Sequence, residues 1–350
     1  MSRNSNSTLE EQVFELFWSH DSLSRADIIE ALSMDVSDAS VKRVLQKLNK
    51  DGKLLITGAG RATRYQLSPN GRLMSTINLD TYYSRDIDER HIITGFNFEL
   101  MSTLLPGANL FTPDELAHLN ALQAEFHANI SQLSDAAKHK EMTRLGVDLS
   151  WKSSQIEGNT YTLLETERLL LEQRTADGKT RDEATMLLNH KAALDFIVAE
   201  PDYLQNLSVS HIEDIHSILV RDLQVDRNIR HRRVGITGTN YRPLDNEYQI
   251  REALDSMCRL VNETACVFSK SLLVLVLLSY IQAFMDGNKR VARLAANAVL
   301  IAHGYCPISF RSVESLDYKK AMLIFYEQNN ITAFKKIFME QFEFAVKSYF

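Results

Sequence analysis

The run from Leu272 to Leu278, Leu-Leu-Val-Leu-Val-Leu-Leu, leaves no helical face polar. A helix that is apolar all round must be covered all round. At seven residues between Ser271 and Ser279 it falls far short of the roughly 20 apolar residues of a membrane span. It therefore reads as the central helix of a helical domain, and no membrane partner is expected. The flanking sequence agrees: from about 111 to 350 the pattern is long amphipathic helices.

The residues directly after this run carry the chemistry. Tyr280-Ile281 lead into Phe284-Met285-Asp286-Gly287-Asn288-Lys289-Arg290, then a helical segment from Val291 to His303. A loop that feeds a helix start presents free backbone N–H groups, and Gly287 lets a ligand approach the backbone closely, so this is a candidate anion site. Arg290 and Arg293 share a helix face and can hold phosphate oxygens. Asp286 is placed to hold Mg²⁺ against those oxygens. Phe284 reads as an apolar peg under the loop.

The helical pattern is interrupted once, from Arg227 to Asn246. That stretch contains Val234-Gly235-Ile236-Thr237-Gly238-Thr239-Asn240-Tyr241-Arg242-Pro243 and reads as a short hairpin or flap. Residues 1–8 are polar and expected to be disordered. They show no apolar stretch after Arg3, so no signal peptide is expected. Cys258, Cys266 and Cys306 show no CxxC spacing and fit thiols in a reducing compartment, the cytoplasm.

The N-terminal part has a different rhythm. Leu9–His20, Arg25–Leu32 (capped by Ser24) and Ala39–Lys50 (capped by Ser37 or Asp38) are three short helical segments. Leu54–Ile56, a Gly58-Ala59-Gly60 turn and Thr63–Leu67 then make a hairpin. This is the order of a winged helix-turn-helix, assigned to residues 9–70, with 71–110 as a connector and 111–350 as the helical domain. The formal net charge of the 350 residues is −6, but between Ser37 and Leu67 seven basic residues against two acidic ones leave +5. Lys42, Arg43, Lys47, Arg61 and Arg64 are the candidate DNA-phosphate contacts. A solvated helix face or a protein-binding surface is the competing reading.

The segment from Phe284 to Arg293 resembles the Fic family motif H-P-F-x-D/E-G-N-G-R-x-x-R through Phe284, Asp286, Gly287, Asn288, Arg290 and Arg293. Ser153-Ser154-Gln155-Ile156-Glu157-Gly158-Asn159 is similar to the family's inhibitory helix, here near 148–160. Glu183 to Ile197, with Asn189-His190-Lys191-Ala192, is similar to its early core helix. The resemblance implies a mainly α fold: a Fic-type helical core with a short β-hairpin flap, preceded by the α+β winged helix-turn-helix. It implies ATP and Mg²⁺ as cofactors and transfer of AMP to target hydroxyls. Catalytic roles fall on the position of Gln282 and on Asp286, Asn288 and Arg290. Nucleotide would be held by Gly287, Asn288, Lys289, Arg290 and Arg293. Ser153, Glu157 and Gly158 would be inhibitory, with Glu157 meeting Arg293 where a γ-phosphate must go. The flap residues Gly235, Ile236, Thr237, Gly238 and Tyr241 would clamp a target segment by strand addition.

The chain departs from the motif in three places. Gln282 stands where the family has its catalytic histidine, and an amide does not titrate near pH 7. Ala283 replaces the proline. Lys289 replaces the second glycine, as in the death-on-curing branch, and could serve as an extra cation. His231 in the flap is the remaining candidate base, while His216 reads as a packed or surface histidine. Three functions are compatible with this pattern: a nucleotide-responsive regulator, an active AMP or phosphoryl transferase, or a flap-mediated scaffold tethered to DNA. The oligomeric state is left open, a homodimer included.

Overall fold

The structure, a computed structural model, describes residues 8–32 and 36–350. The disorder expected for residues 1–8 falls outside the described residues except at Thr8, which caps the first helix. The chain divides into two compact units: the residues up to Thr94 with Ile236–Tyr241 and Leu323–Ala333, and Gly95–Gly235 with Arg242–Met322 and Phe334–Phe350.

The first unit opens with α1 (Leu9–Glu15), extended by a 3₁₀ turn Leu16–Trp18. The helices α2 (Arg25–Leu32) and α3 (Asp38–Lys50) come next, then β1 (Leu54–Thr57) and β2 (Arg64–Leu67). Local chemistry sets each start. Thr8 and Glu11 form a capping box on α1, Ser24 and Asp27 do the same on α2, and Ser37 accepts from the Ser40 amide on α3. Strand β1 pairs antiparallel with β2, Leu55 opposite Gln66, and Leu23 bridges to Tyr65 on the other side. The turn needs Gly58: its φ is +72°, and a Cβ there would lie 2.3 Å from the Ala62 carbonyl oxygen.

One face of α3 is buried. Val41, Leu45 and Leu48 are fully covered and pack with Phe17, Trp18, Leu54, Tyr65 and Ile324. Two short helices, α4 (Pro69–Met74) and α5 (Leu79–Tyr83), complete this unit. A buried polar knot joins its pieces: the Glu327 carboxylate accepts from the Tyr82 hydroxyl at 2.8 Å and faces Arg90 at 3.5 Å.

The second unit holds α6 (Pro113–Gln132), α7 (Asp135–Ile156), α8 (Leu163–Glu172), α9 (Arg181–Ala199), α10 (Val209–Leu219), α11 (Glu247–Glu263), α12 (Val267–Ile281) and α13 (Asn288–Ala302). Most of α14 (Ser315–Gln328) and α15 (Thr332–Tyr349) also lies here. As its composition requires, α12 is buried on every face from Ser271 to Ile281. Covering each of its leucines or valines is worth ~1.5–3 kcal/mol. The next helix, α13, packs along α12, with α7, α9 and α10 against it. It begins at Asn288, three residues before the expected Val291, which puts Lys289 and Arg290 in its first turn.

One expectation is corrected. Residues 227–246 form no β-hairpin, and the only sheet among the described residues is β1–β2. An isolated two-stranded hairpin is marginal in water, and side chains take carbonyls of this segment instead. Arg230 donates to the carbonyls of Arg232 and Leu244, and Arg90 donates to that of Gly238.

Candidate functional site

The site is the junction of α12 and α13. The first of these helices stops at Gln282, which adopts a left-handed conformation (φ 53°, ψ 58°) as C-cap. Asn288 then staples the loop: its side chain accepts from the Phe284 amide and donates to the Phe284 carbonyl, both at 2.8 Å. Arg230, almost fully buried, holds the loop from the other side. Its backbone N–H donates to the Ala283 carbonyl at 3.0 Å and its Nε to the Gln282 carbonyl at 2.6 Å. Phe284 is fully buried and stacks on His216 with ring centroids 3.7 Å apart.

Sequence reasoning missed this role of His216. One ring nitrogen faces the Asp286 carbonyl at 3.0 Å and the other the Arg227 carbonyl at 3.1 Å. Burial pushes its pKa below the ordinary value. It supports the loop from beneath. The role of Arg230 was equally invisible in the sequence.

Gly287 has φ +84° and precedes the first turn of α13, whose first intrahelical bond runs from the Val291 amide to the Gly287 carbonyl. No side chain caps this helix start. Its positive end is thus open toward an anion. The Arg290 side chain is 1% exposed. Its Nη2 donates to Asp286 at 2.8 Å, while Nε and Nη1 are buried with no protein partner. Buried donors without a partner call for an acceptor that is not part of the chain. Arg293 is fully buried and differently engaged. Its Nε donates to the Ser153 hydroxyl and its Nη2 to the Ser153 carbonyl and Glu157 Oε1, all within 2.9 Å.

Glu157 caps the C-terminus of α7, which starts at Asp135, well before the segment singled out in the sequence. Gly158, with φ +101°, turns the chain away. Burial alone would raise the Glu157 pKa, but the charges of Arg293 and Lys289 outweigh it and hold the carboxyl below its ordinary range. Lys289 Nζ reaches Glu157 Oε2 at 3.3 Å. Below the arginines, His190 is fully buried with Nδ1 against the Ser150 hydroxyl, and burial, then Arg293 and Arg290, keeps it neutral.

The structure thus brings Ser153, Glu157, Lys289 and Arg293 together beside the loop of Asp286, Gly287, Asn288 and Arg290. Gln282 is in the loop but committed. Its Nε2 donates to the Ser279 carbonyl at 2.6 Å and its Oε1 accepts from Asn288 at 3.2 Å. Among the described residues no cluster of three or more His, Cys, Asp or Glu gathers, and the carboxylate that the loop itself carries is Asp286, paired with Arg290.

Of the flap residues, Ile236–Tyr241 belong to the first unit. Gly235, Thr237 and Gly238 are exposed and Ile236 is half-buried. Tyr241 is buried, stacked on Tyr326 at 5.6 Å, so its side chain is packed in that unit's interior. On α3, Lys42 and Arg43 are exposed, as is Arg61 in the wing, and none carries an ion-pair partner among the described residues. Lys47 is paired with Glu10 at 2.5 Å and Arg64 with Asp27 at 3.5 Å. Gln46, which carries no charge to single it out in the sequence, is exposed on the same helix.

Residues 206–300 match the Fic/DOC family and residues 6–84 the penicillinase repressor family. The chain therefore carries a Fic/DOC domain behind a repressor-type winged-helix domain. Among curated proteins it is similar to the protein adenylyltransferase Fic of Drosophila virilis, 27% identical over 199 residues, which is 54% of this chain and 38% of that protein. It is also similar to the protein adenylyltransferase Fic of Nematostella vectensis, 27% identical over 172 residues, 48% of this chain and 40% of the other. The chain spans two fifths or less of the length of these relatives. Among solved structures it resembles Fic-1 (residues 134–508) of C. elegans, with TM-score 0.58 and 21% identity over 67% of this chain and 70% of the other. A Fic domain containing signaling protein from Bacteroides thetaiotaomicron superposes with TM-score 0.56 and 21% identity over 66% and 94%. These structures establish the fold.

Proposed function

We propose that the chain is a Fic-fold nucleotide binder, impaired in AMP transfer, whose nucleotide state governs a DNA-binding winged helix. The observation that carries the proposal is the contrast within one loop. The anion-binding parts are in place, with an uncapped helix start and two unpartnered donors on buried Arg290. At the position where the family has its base, Gln282 has both ends of its amide bonded within the loop. An amide in that arrangement neither takes a proton from an attacking hydroxyl nor turns easily toward one.

ATP is the nucleotide we assign, since the curated relatives are named adenylyltransferases. Lys289, Arg290 and Arg293 are the residues to meet its phosphates once Glu157 withdraws. Mg²⁺ fits here. The Asp286 side chain is 63% exposed and offers a hard carboxylate oxygen, the donor that metal combines with waters and phosphate oxygens. Bound there, it would neutralise phosphate charge. Glu157 acts as the inhibitory acid by holding Arg293. The exposed Gly235, Thr237 and Gly238 would receive an extended target segment. Lys42, Arg43 and Arg61 would contact DNA phosphates.

The relatives' activity supports a second reading, an active AMP transferase, because positioning and electrostatics alone supply much of phosphoryl-group catalysis. One experiment separates the two. ATP with Mg²⁺ is titrated calorimetrically into the full chain, and the recovered protein is weighed by intact-mass spectrometry. Heat of binding without an added AMP is the expected result. An added AMP makes the protein an enzyme, and no binding at all removes the sensor. Anisotropy of a labelled DNA duplex with and without ATP then tests the coupling to the winged helix.

A further inference from the structure

Two helix ends in the second unit carry charge of the wrong sign. The helix dipole makes a C-terminus negative and an N-terminus positive, so acids are disfavoured at the first and bases at the second. Yet α7 ends on Glu157 with no basic residue in its last turn, and α13 begins with Lys289 and Arg290 and no acidic one. The two ends compensate each other. Glu157 accepts from Arg293 at 2.8 Å and from Lys289 at 3.3 Å, on side chains at most 27% exposed.

The two cations are not equivalent. Arg293 has two further bonds to Ser153 and keeps them if Glu157 leaves. Lys289 has Glu157 as its ion-pair partner and nothing to fall back on except solvent or an incoming anion. A phosphate oxygen arriving at the start of α13 offers Lys289 the same chemistry that the carboxylate does.

We infer that Lys289 is a two-partner switch contact: it locks Glu157 onto α13 in the nucleotide-free chain and transfers to a phosphate of a polyphosphate ligand when Glu157 withdraws. The inference rests on the nucleotide reading above and adds a regulatory residue to it. A lysine in the first turn of α13 thereby opposes binding before the switch and supports it afterwards. Its net effect on affinity depends on whether Glu157 carries its charge.

The test uses four full-length proteins: wild type, Lys289→Met, Glu157→Gln and the double variant. Methionine keeps the stem and removes the charge. Without nucleotide, hydrogen exchange of residues 153–160 is expected to speed up about fivefold in Lys289→Met, the factor for a partly exposed ion pair. In the Glu157→Gln background the same change should add nothing. With ATP and Mg²⁺, Lys289→Met is expected to weaken binding in the Glu157→Gln background, and to be about fivefold more favourable than that in the wild-type background, where release of the lock offsets the lost phosphate contact. That fivefold difference between the two backgrounds is the signature. Equal weakening in both backgrounds with unchanged exchange makes Lys289 only a phosphate ligand and overturns the lock. No effect on either readout makes it a solvated side chain and also overturns it. If no variant binds ATP, the nucleotide reading and the second partner fall, while the exchange data still decide the lock.

Discussion

Restoring histidine at position 282 tests whether the rest of the site is built for transfer. The structure says what the substitution disturbs. Gln282 loses two side-chain bonds, at 2.6 Å to Ser279 and 3.2 Å from Asn288. At ~0.5–1.5 kcal/mol each, the cost is about 1–3 kcal/mol. The loop itself should survive. Arg230 holds it through backbone carbonyls of residues 282 and 283, and Asn288 keeps both bonds to Phe284. The left-handed backbone at 282 suits histidine better than a branched residue. Adding a general base is worth ~10²–10⁴ in rate. The variant must also carry Glu157→Gly, because Arg293 is otherwise occupied. The assay is intact-mass spectrometry over time with ATP and Mg²⁺. Gln282→His/Glu157→Gly should gain AMP, and wild type and Glu157→Gly should lag by that factor. If they label within about tenfold of the double variant, the reasoning about Gln282 is refuted. If the double variant binds ATP and stays unlabelled, the pocket is shaped for another use.

Three further outcomes are expected. Arg230→Met removes three guanidinium bonds to carbonyls from a side chain that is almost fully buried, and should lower stability by about 3 kcal/mol or more, read by urea unfolding; a wild-type midpoint would show that these bonds do not hold the loop. Lys42→Ala and Arg43→Ala should each lower the salt slope of DNA binding by about 1, while Lys47→Ala, already neutralised by Glu10, should change it less; equal slopes in all three would move the phosphate contacts elsewhere. Glu183 is held at a pKa of about 2, first by the Thr160 hydroxyl and then by the Thr180 amide. Its folded pKa lies below its unfolded value of 4.5, so its contribution is complete above pH 4.5 and is lost as pH falls toward 2. Glu183→Gln should flatten that part of the acid-unfolding curve, by a modest amount because the group is exposed.

Much of the architecture is set within a few residues along the chain, and that part is legible in the sequence. The starts of α1, α2 and α3 are set by side chains three residues from the amides they bond, and the all-apolar stretch of α12 admits only burial. The glycine-containing loop ahead of a basic helix start is likewise local, so its anion-binding character needs no knowledge of packing. The hairpin expected at 227–246 failed for the converse reason. The glycines and the proline that break the helical pattern there suggested a hairpin, but a strand needs a partner, and the carbonyls found arginine side chains instead.

The chain by itself determined which residues could do chemistry: Gln282 in place of a base, three cations at one helix start and an acid at the end of another helix. The family resemblance anticipated that Glu157 meets Arg293; only the tertiary structure showed that Lys289 shares that carboxylate and that Gln282 is bonded within its own loop. The bonds from Lys289 and Arg293 to Glu157 span 132 and 136 positions, so no periodicity or spacing encodes them. They exist because packing of α7 against α13 sets two oppositely charged helix ends side by side in a poorly solvated place, where each must be compensated by the other.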